Sequence, residues 1–279
     1  MFRTASLSKI FTAQAIMQLV EREEISLDDK VAQYLPQFDD SPITIRHLLT
    51  HSSGLSDQVG PLPIDKMRSL KSYLSHLSEQ AVNVKPGNSF EYSDGGFNIL
   101  GAIVSVVSDM RFEDYITKNI LLPTDMRHSG YFDGKQGIKA EALPTYEGEF
   151  LNKDQLRPYD VAFYPSEGLV SNVADLSRWL VSTLTLSEKV LTKDSYRSML
   201  QPQLKTTWGE IYMGLGWQVY EKNGQSVARH PGSIRGYKAL IISFPESQDA
   251  MILLSNAHET PRWDIARVIR EILTEQKVW

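Results

Sequence analysis

The chain predicts an α/β (α+β) fold: an antiparallel sheet flanked by helices, with a mainly helical lobe inserted beside it. Three observations carry this. Up to about residue 200, apolar residues recur at helical spacing. Past about residue 205 the pattern changes to short β-prone runs separated by turn residues. Pro261 then opens a closing helix.

The elements follow in order. Ile10, Ala13, Met17 and Val20 mark a helix from Ser6 to about Glu24, followed by a loop holding Pro36 and Pro42. Thr44 to Thr50 reads as a short helix ended by His51-Ser52-Ser53-Gly54, and Lys66 to Gln80 as a polar helix. Lys85-Pro86-Gly87-Asn88 is a turn; Gly95 to Val107 and Phe112 to Asn119 are helices. Met126 to Tyr164 is irregular, and with the Ser56 to Lys66 loop is expected at the mouth of a cleft. Asn172 is a helix N-cap for a segment running to Thr185. Leu215 to Val219, Ser226 to His230, Tyr237 to Phe244 and Ala250 to Leu254 read as strands. The last helix carries Ile265, Val268, Ile269 and Ile272 on one face. The division expected is an α/β lobe from residues 1–24 and 203–279, and a mainly helical lobe with cleft loops from 25–202.

Composition excludes several functions. With 279 residues, 42% of them hydrophobic, the chain can bury a large core. Its net charge is −5 and no basic run occurs, so no nucleic-acid partner is expected. There are no cysteines, which removes disulfides, thiolate metal sites and a cysteine nucleophile. No stretch approaches the roughly 20 apolar residues of a membrane span. The first residues, Met1-Phe2-Arg3-Thr4-Ala5-Ser6, have no apolar core of a signal peptide. The histidines show no metal-ligand spacing, so no metal is expected.

Three short patterns could carry chemistry. In Ser6-Leu7-Ser8-Lys9 a hydroxyl and an amine lie one helical turn apart. An amine can take the serine's proton if burial lowers its pKa, and the helix start points N–H groups at the reacting centre. A chance Ser and Lys on a surface helix would look the same. Tyr92-Ser93-Asp94 follows a Pro-Gly turn. It offers a phenol that can be a general base if nearby cations depress its pKa, or simply a half-buried tyrosine beside a capping Asp94. His230-Pro231-Gly232 lies in a predicted strand, where Gly232 lets a substrate approach the strand edge. The Ser233 N–H could pair with that of Ser6 as an oxyanion hole. His128-Ser129-Gly130 has the same spacing but no strand pattern, and is assigned to a loop.

Taken in order, the three patterns match the motif set of serine β-lactamases and penicillin-binding proteins. The chain resembles the family of class C β-lactamases, DD-peptidases and related carboxylesterases, with a β-lactamase/transpeptidase-like fold. Further residues carry the likeness: Phe2 to Lys9, Ile45-Arg46-His47-Leu48-Leu49-Thr50-His51-Ser52-Ser53-Gly54-Leu55, and Lys85-Pro86-Gly87. Leu100-Gly101, Gly168-Leu169-Val170-Ser171, Asp175-Leu176 and Gly214-Leu215-Gly216-Trp217 extend it over nearly the whole chain. The resemblance implies that Ser6 attacks a carbonyl and is acylated, with Lys9 and Tyr92 sharing the base work. It implies that His230 assists Tyr92 or a substrate carboxylate, that the N–H groups of Ser6 and Ser233 form the oxyanion hole, and that no cofactor is used. The implied partner is a small ester, amide or lactam.

Three departures refine the expectation. Asp94 stands where the family carries Asn; a carboxylate cannot donate to a substrate amide and would hold Lys9 charged. Pro231 replaces a common Thr or Ser, losing a hydroxyl and an N–H. Both favour esters over lactams and D-amino-acid peptides; a non-catalytic binding or scaffold relative is the other class of reading. Only five residues precede Ser6, where the family has a helix and two strands. That predicts a reduced sheet with an unpaired edge, open to a second copy of the chain. It also leaves open a longer native N-terminus and an extracytoplasmic location.

Overall fold

The structure is a computed structural model that describes residues 1–39, 41–55, 70–79, 85–132, 141–156 and 161–274. Its elements are β1 (Phe2–Arg3), α1 (Ser8–Glu21), α2 (Ile45–Leu49), α3 (Leu70–Ser78), α4 (Asp94–Ser108), α5 (Phe112–Ile116), β2 (Thr145–Tyr146) and β3 (Glu149–Phe150). Then come α6 (Tyr164–Glu167), β4 (Val170–Ser171), α7 (Val173–Leu184), α8 (Lys193–Met199), β5 (Leu204–Lys205), β6 (Tyr212–Met213), β7 (Gln218–Lys222), β8 (Gln225–Ile234), β9 (Tyr237–Phe244), β10 (Asp249–Ser255) and α9 (Arg262–Thr274).

Helix α1 is the centre of the molecule. Every residue from Ser8 to Leu19 is buried, so the helix is covered on all sides rather than along one stripe. On one side it meets the sheet through Leu215, Trp217, Ala228, Ala239 and Ile241, which share its core cluster. On another it meets α4 and α6. A side chain at Gly101 would lie 2.1 Å from Pro165, so glycine is what lets those two helices approach.

The main sheet has six antiparallel strands in the order β10-β9-β8-β7-β6-β5, all drawn from residues after 203. The expected reduced sheet is therefore corrected: β5 and β6 add two strands of two residues each, too short to leave a period-2 pattern. Strand β10 does lie at one edge, with no further strand among the described residues. The N-terminal β1 pairs with β4 instead, Phe2 opposite Ser171 and Arg3 opposite Val170.

Other readings shift for identifiable reasons. Leu215 to Val219 is not one strand. Gly216 sits at φ +79°, and the Leu215 and Gly216 N–H groups bond to Met199 and Leu49 carbonyls, so a bend precedes β7. The helix from Phe112 runs on through a π turn at Thr117–Leu121. The irregular 126–164 segment holds the β2–β3 hairpin. Helix α8 left no separate signal in the sequence reading. The start of the polar helix at 66–69 and the 56–66 loop lie outside the described residues.

Helix α9 turns a different face inward than predicted. Ala266 and Arg270 are buried, whereas Val268, Ile269 and Ile272 are 46%, 38% and 71% exposed. The Arg270 guanidinium lies 3.8 Å from the Phe244 ring centre, and Arg262 bonds the Gly232 carbonyl. Those two anchors and the small Ala266 between them set the rotation of the helix. No helix among the described residues is long and apolar enough to cross a membrane.

Candidate active site

The turn that carries Ser6 is held from several sides. Residues Ala5–Leu7 form a 3-10 turn leading into α1, and Ala5 is in the left-handed region at φ +50°. A non-glycine residue stays there only if its surroundings enforce it. They do: the Thr4 N–H and hydroxyl both donate to the Leu169 carbonyl, at 3.0 and 2.7 Å. Ser8 donates to the Ala5 carbonyl at 2.7 Å and accepts from the Leu169 N–H at 3.0 Å. Between Thr4 and Leu19, Ser6 alone is not buried.

Lys9 is fully buried with three acceptors for its three N–H bonds: Ser6 Oγ at 3.3 Å, the Ser166 carbonyl at 3.0 Å, and Asp94 Oδ1. Burial alone would push this ammonium down. The Asp94 carboxylate and then Tyr92 outweigh that and hold it above its ordinary value. Lys9 is therefore a cation here and has no lone pair to offer Ser6. The Lys9 Nζ is also 4.9 Å from the Tyr92 ring centre. Ser6 and Lys9 both act on the Tyr92 phenol; burial raises its pKa although Lys9 opposes this, so the phenol is protonated. Ser93 caps α4 through the Gly96 N–H at 3.0 Å, leaving Asp94 as the first helical residue and free to turn toward Lys9.

His230 is buried on β8. Its Nδ1 lies 2.9 Å from the Pro231 carbonyl. A carbonyl only accepts, so Nδ1 carries the proton and Nε2 is a bare lone pair. Nε2 is buried with no partner among the described residues. Burial first, then the Lys9 cation, pushes this imidazole down to about 3. Strand β7 pairs with β8 only as far as Arg229, so from His230 onward that edge of β8 has no paired strand among the described residues. Ile234 and Tyr237 close a two-residue turn onto β9. Hydrogen-bonded pairs alternate from there, so the Ser233 N–H and the Pro231 position face away from β9. Proline at 231 thus removes no bond to β9.

Gly232 also meets a constraint beyond the one expected. A side chain there would lie 2.1 Å from the Thr4 carbonyl oxygen. Glycine lets the turn that carries Ser6 pack against β8. The look-alike His128-Ser129-Gly130 is a loop, its histidine 73% exposed and Ser129 bonded to Asp175 at 2.8 Å.

Four neighbours were not singled out as site residues by the sequence. The Ser166 carbonyl is one. His51 stacks on Tyr92 with ring centres 4.2 Å apart. Phe90 and Trp208 extend the aromatic wall, 4.7 Å from each other. The long run Ile45 to Leu55 was the available signal for His51; nothing local marks Trp208.

A family model described as Beta-lactamase matches residues 1–274. The chain belongs to the Beta-lactamase family. Penicillin-binding protein 4* of Bacillus subtilis is 27% identical over 95% of this chain and 63% of its own length, so the chain spans less than two thirds of that relative. Among solved structures, a penicillin-binding protein from Bacillus halodurans superposes with TM-score 0.86 at 25% identity, covering 97% of this chain and 85% of that one. An octameric penicillin-binding protein homologue from Pyrococcus abyssi gives TM-score 0.84 at 29% identity, covering 98% and 66%. Family members thus share this antiparallel sheet with flanking helices and its helical insertion.

Proposed function

We propose that this chain is a serine hydrolase that cleaves small esters and amides through an acyl-enzyme on Ser6. The observation that carries the reading is the Ser6 hydroxyl itself. It is the one unburied group on an otherwise enclosed turn, in contact with a fully buried ammonium and a protonated phenol.

The charge state sets the order of events. Ser6 Oγ bonds to the substrate carbonyl carbon while its proton passes to the Tyr92 oxygen. Tyr92 gives its own proton to the leaving alkoxide or amine, whose bond to carbon breaks. No free base is needed, because the phenol accepts and donates in one relay. The Lys9 cation stabilises the negative charge that grows on Ser6 and Tyr92. The N–H groups of Ser6 and Ser233 receive the carbonyl oxyanion. Water then attacks the acyl group, and its proton returns to Ser6 by the same phenol, releasing the acid. His230 keeps a neutral imidazole beside this relay.

Asp94 points the reading toward esters. A carboxylate at that position accepts hydrogen bonds and cannot donate to an acylamide carbonyl. Turnover of a short p-nitrophenyl ester is expected to exceed that of a chromogenic cephalosporin, and Asp94→Asn is expected to raise cephalosporin acylation. The reverse ranking, or no response to the substitution, removes Asp94 as the determinant. The β-lactamase and D-peptidase readings are then preferred.

A second class of reading, a non-catalytic binding protein, is favoured by one observation: Lys9 is held as a cation. Labelling by an activated fluorophosphonate separates the two. An adduct lost in Ser6→Ala supports the hydrolase, and no adduct in the wild-type chain overturns it. We further propose that the β10 edge pairs with a second copy. Antiparallel pairing about Ile252 would set Met251 against Leu253, all only partly buried here. A chain that stays monomeric in light scattering at high micromolar concentration overturns that pairing.

A further inference from the structure

We infer that His51 is a positioning residue for Tyr92, holding the phenol between Ser6 and Lys9 through an imidazole that accepts at Nδ1. The inference rests on the proposed role of Tyr92 and goes beyond it by naming what fixes the phenol.

Three contacts converge on three successive residues. The His51 carbonyl accepts from the Glu91 N–H at 2.8 Å. Its Nδ1 accepts from the Ser93 N–H at 3.0 Å. Its ring stacks on the Tyr92 ring between them, at 4.2 Å and 25°. One residue therefore grips the backbone on both sides of the phenol and the phenol ring itself. Phe97 backs the imidazole at 5.0 Å and Phe90 lies across its edge at 6.1 Å. With the ring 1% exposed, there is little room for it to move.

His51 sits at φ +54°, the left-handed residue of the cap that ends α2: the Ser52 N–H donates to the His47 carbonyl at 2.8 Å and the His51 N–H to the Leu48 carbonyl at 3.2 Å. It follows α2, whose start is fixed by the Thr44 cap and its reciprocal bonds with His47. A residue fixed at the capped end of an anchored helix, aimed at a candidate proton carrier, fits a positioning role.

The tautomer follows from the partner. A backbone N–H can only donate, so Nδ1 must be the acceptor and the single proton sits on Nε2. Tyr92 from the preceding loop stacks on the ring, and Lys9 from α1 and His230 from β8 act on it electrostatically. Protonating Nδ1 would break the bond to Ser93 and release one side of the grip. His51 and His230 thus carry opposite tautomers, a donor Nε2 and an acceptor Nε2.

The test is a double-mutant cycle with Tyr92→Phe, read by ester hydrolysis and fluorophosphonate labelling. His51→Gly relieves the left-handed backbone while removing ring and acceptor. It is expected to lower kcat about 100-fold, the scale of a misplacement near 1 Å, with KM within about threefold. His51→Asn keeps a short acceptor and tolerates φ > 0, and is expected to recover about tenfold of that loss. In the Tyr92→Phe background, His51→Gly should have no further effect. Equal losses in Gly and Asn variants, or additive losses in the double mutant, overturn the inference and leave His51 a packing residue. Tyr92→Phe inactive with His51→Gly fully active overturns it alone; Tyr92→Phe as active as wild type removes the Tyr92 reading and this inference together. The tautomer is read without activity, by nitrogen–proton correlation across the imidazole. The proton is expected on Nε2, and a proton on Nδ1 overturns the geometry.

Discussion

The two ends of the sheet's helical covering treat side chains in opposite ways. At the start of α1, a lysine is fully buried and all three of its N–H bonds have acceptors. At α9, Ile272 and Leu273 are 71% and 70% exposed, beside an edge strand whose residues from Met251 to Ser255 are only partly buried. The first region places a charge where water cannot reach it, which is tolerable only because the partners are in place. The second leaves apolar surface where a core would be expected. The difference teaches where this chain is preorganised. The site's groups are fixed by their mutual contacts, while the β10–α9 side leaves apolar side chains exposed among the described residues.

The sharpest way to break the comparison is to remove the partner of the buried charge. Asp94→Ala leaves Lys9 enclosed with two neutral acceptors. Losing one member of such a pair costs about 3 kcal/mol, the lower end of the usual range because Asp94 is 28% exposed. Urea unfolding should show that loss, and Asp94→Asn, which keeps an acceptor oxygen, a smaller one. If Asp94→Ala is as stable as wild type, Lys9 is not held as a cation.

Acid is the next largest perturbation. His51 and His230 are both buried with pKa values pushed below the ordinary 6.5 by burial and the Lys9 cation, His230 to about 3. Between 6.5 and about 3 the unfolded chain binds a proton at His230 that the folded chain does not, and the lowered His51 acts in the same direction. Stability therefore falls as pH drops from 6.5 toward 3, by about 1.4 kcal/mol per pH unit for His230. Above 6.5 this contribution is constant. The slope of unfolding free energy against pH should drop by about 1.4 kcal/mol per pH unit in His230→Asn; an unchanged slope would mean that His230 is charged in the folded state. The same shifts predict that kcat/KM shows no limb near an ordinary histidine's 6.5.

What could be read from the sequence divides along the same line. Lys9 lies one turn after Ser6, so their meeting is a local fact that helical spacing already contains. Tyr237–Phe244 matched its strand residue for residue, because every second position meets a core on a different face. Asn172 capped α7 as its side chain dictates. The grip on Tyr92 was not legible. It joins residues about 40 apart through a backbone carbonyl and one ring nitrogen, neither of which leaves a periodic trace. Gly232 was marked for substrate approach, but its contact with the Thr4 carbonyl was not foreseen, since Thr4 is distant in the chain. The inward face of α9 was misassigned because two arginines, not the isoleucines, anchor the helix. Hydrophobicity alone cannot foresee a guanidinium stacked on a phenyl ring.

The smallest expected effect lies on the open side. Ile272→Ser removes an apolar group that is 71% exposed, so in a monomer it should move the unfolding free energy by no more than about 0.5 kcal/mol. The equivalent truncation on α1, Ile16→Ala at 0% exposure, should cost about 3 kcal/mol. If a second copy covers β10 and α9, the contrast narrows in a specific way. Dimer stability depends on protein concentration, so the urea midpoint of the wild type should rise as the chain is concentrated. Ile272→Ser should flatten that rise without touching the dilute limit. A midpoint independent of concentration, with Ile272→Ser silent throughout, would mean that no second copy covers this face.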